Sequence, residues 1–404
     1  MSKLSIRDIE LKNKHVFIRV DFNVPLSEDG STITDDTRIV ATLPTIEYAL
    51  RHHAKVILAS HLGRPKGKAN PKYSLRPVVD RLRELLDKHV GESINVAFSP
   101  DCVGEIAEEM SRQLESRQVL LLENLRFHAE EEANDPGFSK QLASLAEVYC
   151  NDAFGSAHRA HASTEGITHY IKPSVAGMLM EKEITYLGKA LESPEKPFVA
   201  IIGGSKISGK IDVIQNLLDK VDTLVIVGGM AYTFYRSKGV ATGKSLVEED
   251  KIELAKQTLE KAKTKGVELL LPVDNIRADS FANDAKTQPW DTSKNFPADW
   301  QGLDIGPKSV DAIEDVISRA RTIVWNGPAG VFEFPNFAIG TNAIARAVAA
   351  NKAATSIIGG GDSVSAINQA GVASQITHIS TGGGASLEFL EGKKLPGVEA
   401  LTNK

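Results

Sequence analysis

The sequence predicts an α/β protein with two domains, in which parallel sheets are covered by helices on both faces. At 404 residues the chain is too long for one ordinary hydrophobic core and suits two. Short apolar runs rich in β-branched residues alternate with longer segments of helical period, an order typical of parallel sheets. Nearly every strand-like run also ends in polar or glycine-rich residues, at the position where open α/β sheets bind ligands.

Each predicted strand is a short apolar run followed by such a polar or glycine-rich segment. In the first half of the chain the predicted strands are His15–Val20, Lys55–Ala59, Ile94–Phe98, Val119–Leu122 and Glu147–Cys150. In the second half they are Phe198–Ile202, Asp222–Val227, Glu268–Leu271, Thr322–Trp325, Thr355–Ile358 and Thr377–Ser380. Helices are predicted between these strands, for example over Ser74–His89 and Glu248–Lys265.

We predict the domain boundary near Tyr170–Pro173, which gives a first domain of residues 1–172 and a second of residues 173–390. The amphipathic stretch Met178–Leu191 is predicted to form a connecting helix within the second domain. The segment Asn283–Trp300 is polar and interrupted by proline, so it is predicted to be a surface loop.

The composition is that of a soluble globular protein with no nucleic-acid or membrane partner. Apolar residues make up 42% and charged residues 25%, and the net charge of −5 provides no basic field for nucleic acid. No run approaches the roughly 18 apolar residues of a membrane span, and the N-terminus lacks the apolar core of a signal peptide. The two cysteines, Cys102 and Cys150, are expected to be buried and reduced, so a cytoplasmic location is expected.

Basic side chains are concentrated at the predicted strand ends of the first half. They are Arg38, His61, Arg64, Arg126, His158, Arg159 and His161. One arginine alone is most simply a surface ion pair, and one histidine alone is a structural or surface imidazole. Four arginines at the ends of different strands instead indicate a face that binds a small, multiply charged anion, because guanidinium groups bind phosphate and carboxylate bidentately.

Two further features of this half bear on its ligand. Asp21 and Asn23 follow the first strand and are suited to hold a substrate hydroxyl group in a fixed orientation. Zinc at His158 and His161 is less favoured, because these histidines lack nearby cysteines or a third clear ligand.

The strand ends of the second half carry glycine loops and lysines that suit a nucleotide. Phe198–Ile202 leads into Gly203–Lys206, and Lys210 follows; glycine lets the backbone approach phosphate, and the next helix N-terminus adds a positive dipole end. Gly359–Ser363 repeats this pattern before a helix predicted over Ala366–Ala370, with Asp362 as the candidate Mg²⁺ ligand. Two further glycine segments have two possible interpretations. They are Gly228 and Gly229 beside Met230, and Gly302 beside Leu303, and they either form a flat apolar slot for adenine or are ordinary tight turns.

Two segments partly match a P-loop. Gly204–Ile211 has the glycine and lysine spacing but ends in Ile211, where the motif needs a hydroxyl group for Mg²⁺. Gly239–Ser245 has one residue too few between its glycines and no strong strand before it. We interpret the first as a different phosphate loop and the second as a chance match.

These segments together resemble the phosphoglycerate kinases. In the order expected for that family they are RVDFNVP (19–25), SHLGRP (60–65), LLENLRF (121–127), NDAFGSAHRAHAS (151–163), GGSKISGKI (203–211), GLDIGPKS (302–309), VWNGPAGVFE (324–333), GGGDS (359–363) and STGGGASLEFLEGKKLPG (380–397). The resemblance implies two Rossmann-like domains that face each other across a hinged cleft, with the C-terminal tail, residues 391–404, packed back on the first. It also implies reversible phosphoryl transfer from 1,3-bisphosphoglycerate to ADP, giving 3-phosphoglycerate and MgATP, by a monomer.

The resemblance also implies roles for individual residues. The implied phosphoglycerate ligands are Asp21, Asn23, Arg38, His61, Leu62, Gly63, Arg64, Arg126 and Arg159. The implied nucleotide ligands are Gly203, Lys206, Lys210, Gly228, Gly302, Asn326, Glu333, Gly360, Gly361, Asp362 and Ser363, with Glu333 at the ribose and Asp362 on Mg²⁺. The expected catalytic residues, which hold the transferring group, are Arg38, Lys206, Gly360 and Gly361.

Two residues depart from the family pattern. Ser205 stands where alanine is usual and Gly209 where aspartate is common. Both lie in the lysine loop, so they bear on nucleotide affinity, whereas the chemistry depends on the two lysines, which remain.

The predicted chemistry needs positioned charge rather than a general base, because neither a carboxylate nor a diphosphate oxygen has to lose a proton to attack. Two alternatives stay open at this stage. One is a P-loop type of nucleotide hydrolase that uses Gly204–Lys210, and the other is a non-enzymatic binding protein for a phosphorylated metabolite. If the two halves hold the two substrates, direct transfer also predicts hinge closure, with hinge candidates at Met178–Leu191 and Ser380–Gly384.

Overall fold

Buried apolar strands form the centre of two separate parallel sheets in a computed structural model that describes residues 2–404. The strands of the first sheet are β1 (His15–Arg19), β2 (Lys55–Ala59), β3 (Val96–Ser99), β4 (Val119–Leu122), β5 (Val148–Asn151) and β6 (Ser174–Ala176). They lie in the order β3-β4-β2-β1-β5-β6, and every neighbouring pair is parallel. Their carboxyl ends therefore share one edge of the sheet.

Helices connect these strands and cover the sheet. They are α1 (Thr37–Arg51), α2 (Val78–Val90), α3 (Gly104–Gln113), α4 (Ala129–Glu132), α5 (Pro136–Ala143) and α6 (Met178–Glu192). A single apolar cluster joins the buried side chains of β1 and β2, such as Val16 and Leu58, to those of α1 and α2, such as Leu43 and Leu82.

The second parallel sheet and a smaller antiparallel sheet follow along the chain. The strands are β7 (Phe198–Ile202), β8 (Thr223–Ile226), β9 (Glu268–Leu270), β10 (Asp274–Ala278), β11 (Thr287–Asp291), β12 (Gln301–Ile305), β13 (Thr322–Asn326), β14 (Thr355–Gly359) and β15 (His378–Ile379). The parallel sheet has the order β15-β14-β13-β7-β8-β9, and the antiparallel sheet has the order β11-β10-β12. The helices are α7 (Ile211–Leu217), α8 (Ala231–Ser237), α9 (Ile252–Lys265), α10 (Pro307–Arg319), α11 (Ile339–Ala350), α12 (Gly361–Gln369), α13 (Gly384–Leu390) and α14 (Pro396–Glu399).

The predicted strands are confirmed, each to within two residues at either end. The prediction of a loop over Asn283–Trp300 is wrong, because Thr287–Asp291 forms β11, an edge strand that buries only Trp290. Pro289 is tolerated there because an edge strand has one side free of ladder hydrogen bonds. The helix predicted to begin at Ser74 begins at Val78, directly after Pro77. The helix predicted over Ala366–Ala370 begins earlier, at Gly361, so Asp362 lies in its first turn.

Contacts divide the chain into two units. The first ends at Thr185 and includes Lys394–Lys404, and the second is Tyr186–Lys393. The division falls inside α6, later in the chain than the predicted boundary at residue 172. Within residues 2–404, no helix combines the length and the apolar character needed to cross a membrane.

Both ends of the chain pair with β6, at the edge of the first sheet. Leu4 accepts a hydrogen bond from the N–H of Ala176 (2.8 Å), and the N–H of Thr402 donates to the carbonyl of Ser174 (2.9 Å). The two ends also meet each other, because Lys3 Nζ donates to the carbonyl of Leu401 (3.0 Å). These contacts cover the outer hydrogen-bonding edge of β6.

Candidate functional site

Charged side chains meet where β1 and β2 end. Asp21 follows β1, and its Oδ2 accepts a hydrogen bond from Nη1 of Arg38 at 2.8 Å. Burial raises the pKa of Asp21, but its interactions with His61 and with the guanidinium groups of Arg38 and Arg19 together more than offset burial, and the pKa lies below its usual value. Asn23 Oδ1 accepts from the N–H of Gly63 at 2.8 Å, which ties the loop after β1 to the loop after β2.

The loop after β4 is tied to the same place. Asn124 Nδ2 donates to the carbonyl of Leu62 at 2.7 Å, and Arg126 Nη1 donates to the carbonyl of Gly63 at 3.0 Å. The Arg126 side chain is only 7% exposed, and its Nε lies 3.4 Å from Glu132 Oε1. The backbone from Leu62 to Gly63 is therefore held from two directions, by Asn23 and by the β4 loop.

A buried charge network lies behind these loops, and sequence reasoning missed it. Arg19, at the end of β1, is fully buried and donates from Nε to Ser163 Oγ at 2.8 Å. Ser163 Oγ in turn donates to Glu131 Oε1 at 2.6 Å. Burial raises the pKa of Glu131, although the Arg19 charge and the Ser163 hydrogen bonds oppose this shift. The available signal was a lone arginine inside an otherwise apolar run, because such a charge needs a buried partner.

The same arginine fixes the state of His61. Arg19 Nη2 lies 3.2 Å from His61 Nδ1, and because arginine only donates, Nδ1 accepts and the ring proton sits on Nε2. Burial, with the neighbouring guanidinium groups, lowers the pKa of His61 well below its usual value. The imidazole is therefore neutral at physiological pH, and Nε2–H is a donor for an anion.

The end of β5 adds further basic groups. Burial and then the charges of Arg126, Arg19 and Arg159 lower the pKa of His161 to about 3, so these arginines lie close to that ring. Arg159 itself is exposed and donates from Nε to His158 Nε2 at 3.2 Å. Arg64 is exposed, and within the described part of the chain its side chain makes no hydrogen bond or ion pair. The exposed guanidinium groups of Arg64 and Arg159, together with the buried one of Arg126, suit a small, multiply charged anion.

In the second unit, a lysine and two polar side chains meet at the ends of β13 and β14. Lys210 precedes α7 and donates from Nζ to Asn326 Oδ1, at the end of β13. Burial lowers the pKa of Lys210, while the carboxylates of Asp362 and Glu391 oppose this shift. Asp362 therefore lies near Lys210, although it reaches that position from a different strand end.

The glycine loops of this unit pack directly on each other. A Cβ on Gly203 would lie 2.3 Å from the carbonyl oxygen of Pro328, so only glycine fits where the β7 and β13 loops meet. Gly360 has φ of 89°, a left-handed value that favours glycine at the entrance to α12. Ser363 is fully buried and its Oγ accepts from the N–H of Gly327 at 2.6 Å, so this hydroxyl joins the β14 loop to the β13 loop.

The remaining predicted nucleotide residues are at the surface or beside an aromatic ring. Lys206, Glu333, Gly361 and Asp362 are exposed. Gly228 follows β8 with φ of 75°. The interpretation of Gly302 as part of a tight turn is wrong, because it lies in β12, where a Cβ would collide with the Tyr232 hydroxyl group.

The P-loop alternative loses support from the local structure. The loop after β7 enters α7 at Ile211, so no hydroxyl group stands at the start of that helix. Gly239 follows α8 rather than a strand, so the second partial match also lacks the strand that a P-loop requires.

Comparison with known proteins identifies the family of the chain. The family model described as phosphoglycerate kinase matches residues 6–393. Phosphoglycerate kinases of Acidobacterium capsulatum and Koribacter versatilis are 73% and 66% identical over 404 residues, covering 100% of this chain and of each relative. The solved structure of phosphoglycerate kinase from Coxiella burnetii superposes with a TM-score of 0.89 at 42% identity, covering 98% of both chains. The chain therefore belongs to the phosphoglycerate kinase family, a family of phosphotransferases that act in glycolysis.

Proposed function

We propose that this chain transfers a phosphoryl group reversibly from 1,3-bisphosphoglycerate to MgADP, giving 3-phosphoglycerate and MgATP. The observation that carries the proposal is the group of arginines and histidines at the carboxyl ends of the first sheet, in a chain that is 73% identical to a named phosphoglycerate kinase. A substrate with phosphate at one end and an acyl phosphate or carboxylate at the other carries the charge that such a face binds.

The first unit binds the phosphoglycerate. Arg64, Arg126 and Arg159 neutralise the non-reacting phosphate, and the neutral His61 donates from Nε2. Asp21 and Asn23 orient the substrate hydroxyl group, and the Leu62–Gly63 backbone closes one side of the site. Because Asn23 and Asn124 already hold that backbone in place, little ordering is left for the substrate to impose.

The second unit binds the nucleotide. Lys206, Lys210 and the amide groups of Gly360 and Gly361 bind its phosphates at the entrance to α12, and Gly203 lets the β7 loop lie close to the β13 loop. Glu333, exposed beyond β13, binds the ribose, and Gly228 and Gly302 line the base. Asn326 holds Lys210, and Ser363 fixes the loop from beneath.

Catalysis requires no proton acceptor, because the attacking carboxylate or diphosphate oxygen is already ionised. His61 fits this conclusion, since its Nδ1 is occupied by Arg19 and it is not available as a base. Arg38 is 40% exposed beyond its ion pair with Asp21 and is free to turn one face of its guanidinium group to the transferring phosphoryl group. Lys206, Gly360 and Gly361 stabilise the same charge from the nucleotide side.

The residues present also fit a magnesium ion that arrives with the nucleotide. Asp362 is an exposed carboxylate in the first turn of α12, close enough to affect the pKa of Lys210. One carboxylate suits Mg²⁺, which keeps several waters and takes its other ligands from substrate phosphates. When bound, the ion neutralises charge on the phosphate oxygens.

Direct transfer sets a further requirement. The reacting atoms must approach within about 3–3.5 Å, so ligands held by separate units have to be brought together. We therefore propose hinge closure, with the enzyme acting as a cytoplasmic monomer. Small-angle scattering should give a smaller radius of gyration when both substrates are bound. An unchanged radius in active, saturated protein would contradict closure.

A coupled assay for ATP formation from 1,3-bisphosphoglycerate and ADP tests the function itself. The proposal predicts ATP formation that requires both substrates, and its loss in a Lys206→Ala variant. A nucleotide hydrolase would release phosphate from ATP without phosphoglycerate, and a binding protein would bind the phosphorylated acid without turnover. Either result would refute the proposal.

A further inference from the structure

Three side chains with metal-binding groups, none of them assigned a role above, meet at the end of β3, an edge strand of the first sheet. Asp101 and Cys102 lie in the turn between β3 and α3, and His128 follows the loop after β4. Their ligand atoms all lie within 4.8 Å of one another, and they form the one such group of three within residues 2–404. We propose that Asp101, Cys102 and His128 form a binding site for a thiophilic divalent cation of the Zn²⁺ class.

Neighbouring groups in the turn and the ring of Phe138 hold these side chains in place before any ion binds. Ser99 Oγ donates to the carbonyl of Asp101 at 2.6 Å, and the N–H of Cys102 donates to Asp101 Oδ1 at 2.6 Å. The ring of Phe138 packs against His128 with 5.2 Å between ring centres. The two ligands of the turn and the imidazole therefore need little ordering, which lowers the cost of binding.

The arrangement of donors indicates which ion is preferred. His128 Nε2 lies 2.7 Å from Asp101 Oδ1, so the imidazole already points at the carboxylate. A sulfur, a nitrogen and a carboxylate oxygen, with a water in the fourth position, form a ligand set typical of Zn²⁺ and unsuited to Mg²⁺. On binding, the thiol of Cys102 releases its proton to solvent and the sulfur becomes a thiolate ligand. The proton that His128 Nε2 donates to Asp101 also leaves that nitrogen, for solvent or for Nδ1, so that the Nε2 lone pair is free for the ion.

Two of the three ligands reach solvent. Cys102 is fully buried, whereas the side chains of Asp101 and His128 are 48% and 29% exposed. An ion can enter past the carboxylate and the imidazole, with the sulfur at the base of the site. Asp101 and His128 could also form an ordinary ion pair with no metal. An ion pair needs no thiol, so the Cys102 thiol is the feature that favours a metal site over an ion pair alone.

The ligands come from two segments of the chain, and occupancy should therefore stabilise the fold locally. The turn after β3 and the loop after β4 would be linked through the ion, and the second of these carries Arg126. Binding to the native state alone raises the melting temperature of the protein.

The test uses the full chain, reduced, freed of metal with a chelator and without nucleotide. Titration with Co²⁺ should give thiolate-to-cobalt charge-transfer absorption that saturates at one equivalent and disappears when Zn²⁺ is added. Cys102→Ser and His128→Gln should each weaken binding by at least about tenfold, the lower limit seen when even an indirect partner of a metal ligand is lost. Cys150→Ser is the matched control, because Cys150 is also buried but belongs to no such cluster, and it should bind as the parent does.

Absence of the charge-transfer band in folded parent protein would overturn the proposal. Unchanged Co²⁺ binding in His128→Gln would do so as well, and this partly exposed position keeps the test decisive if Cys102→Ser does not fold. Zn²⁺ should also raise the melting temperature of the parent and of Cys150→Ser by more than that of His128→Gln. An equal rise in all three would overturn the proposal.

Discussion

Replacing Asp152 with asparagine should remove a pH dependence from the stability of the first unit. Asp152 follows β5 and is fully buried. Its Oδ1 accepts hydrogen bonds from the N–H groups of Leu179 (2.9 Å) and Met180 (3.1 Å), in the first turn of α6. Burial nevertheless raises the pKa of Asp152 from 3.8 to about 6. Its charged form is therefore disfavoured in the native state even though it caps a helix.

The sign and size of the effect follow from linkage. Because the folded pKa lies above the unfolded one, the native state binds the proton more tightly. The stabilisation from this group is present in full below about pH 4 and is lost as the pH rises through about 6. A shift of roughly two units corresponds to about 3 kcal/mol between these limits. Asparagine keeps an oxygen acceptor for the two N–H groups but cannot ionise, so Asp152→Asn should lose this slope.

Urea unfolding of the parent and the variant from pH 4 to pH 8 measures the difference. Relative to the parent, the variant should gain about 3 kcal/mol in free energy of unfolding between these limits. Asp80→Asn is the control for loss of a carboxylate, because the Asp80 side chain is 90% exposed. Other buried acids, such as Asp304, titrate in both proteins, and their contribution cancels in the comparison. A variant curve parallel to that of the parent would refute the reasoning.

Three further predictions concern the two binding faces. Arg38→Ala should lower turnover by roughly two orders of magnitude, since one preorganised donor contributes about 3 kcal/mol to transition-state stabilisation. The dissociation constant of ADP should stay unchanged. Near-parent turnover in the coupled assay would remove Arg38 from the catalytic group. Asp362→Ala should weaken MgADP much more than metal-free ADP, and equal losses in calorimetry would exclude it as the metal ligand. Gly203→Ala should lower the melting temperature, because its Cβ would lie 2.3 Å from the carbonyl oxygen of Pro328. Gly209→Ala, which meets nothing within 4 Å, should not, and equal melting temperatures would contradict the packing argument.

The sequence predicts the central parallel strands well because strands such as β4, β7 and β13 are buried on both faces and read as continuous apolar runs. It fails at β11, where Thr287–Asp291 buries only Trp290 and contains a proline, so neither alternation nor hydrophobicity marks a strand. It also fails at β6, since Ser174–Ala176 is only three residues long. Such elements are defined by pairing with distant residues, which a local pattern does not report.

In the candidate site, too, residues marked by a local sequence pattern were predicted, and residues defined by distant contacts were not. The exposed arginines were found because they follow predicted strands. Arg19 and Glu131 were missed because their partnership depends on packing between segments more than 100 residues apart. The hydrogen bond from Gly327 to Ser363 likewise depends on two strand ends meeting. Strand order, which places such residues side by side, is a property of the whole sheet.

The pairing of both chain ends with β6 affects how the protein is made. A ribosome completes Tyr186–Lys393 before it makes the residues that finish the first unit. At about 5–20 residues per second, these roughly 200 residues take about 10–40 s to synthesise. Throughout that interval Leu4 already covers Ala176, but the N–H of Thr402 is missing from the carbonyl of Ser174, so β6 is only partly covered and can pair there with another nascent chain. The emerging polypeptide is thus more prone to aggregation while its second unit is being translated, and Lys394–Lys404, made after that unit, ends the exposure.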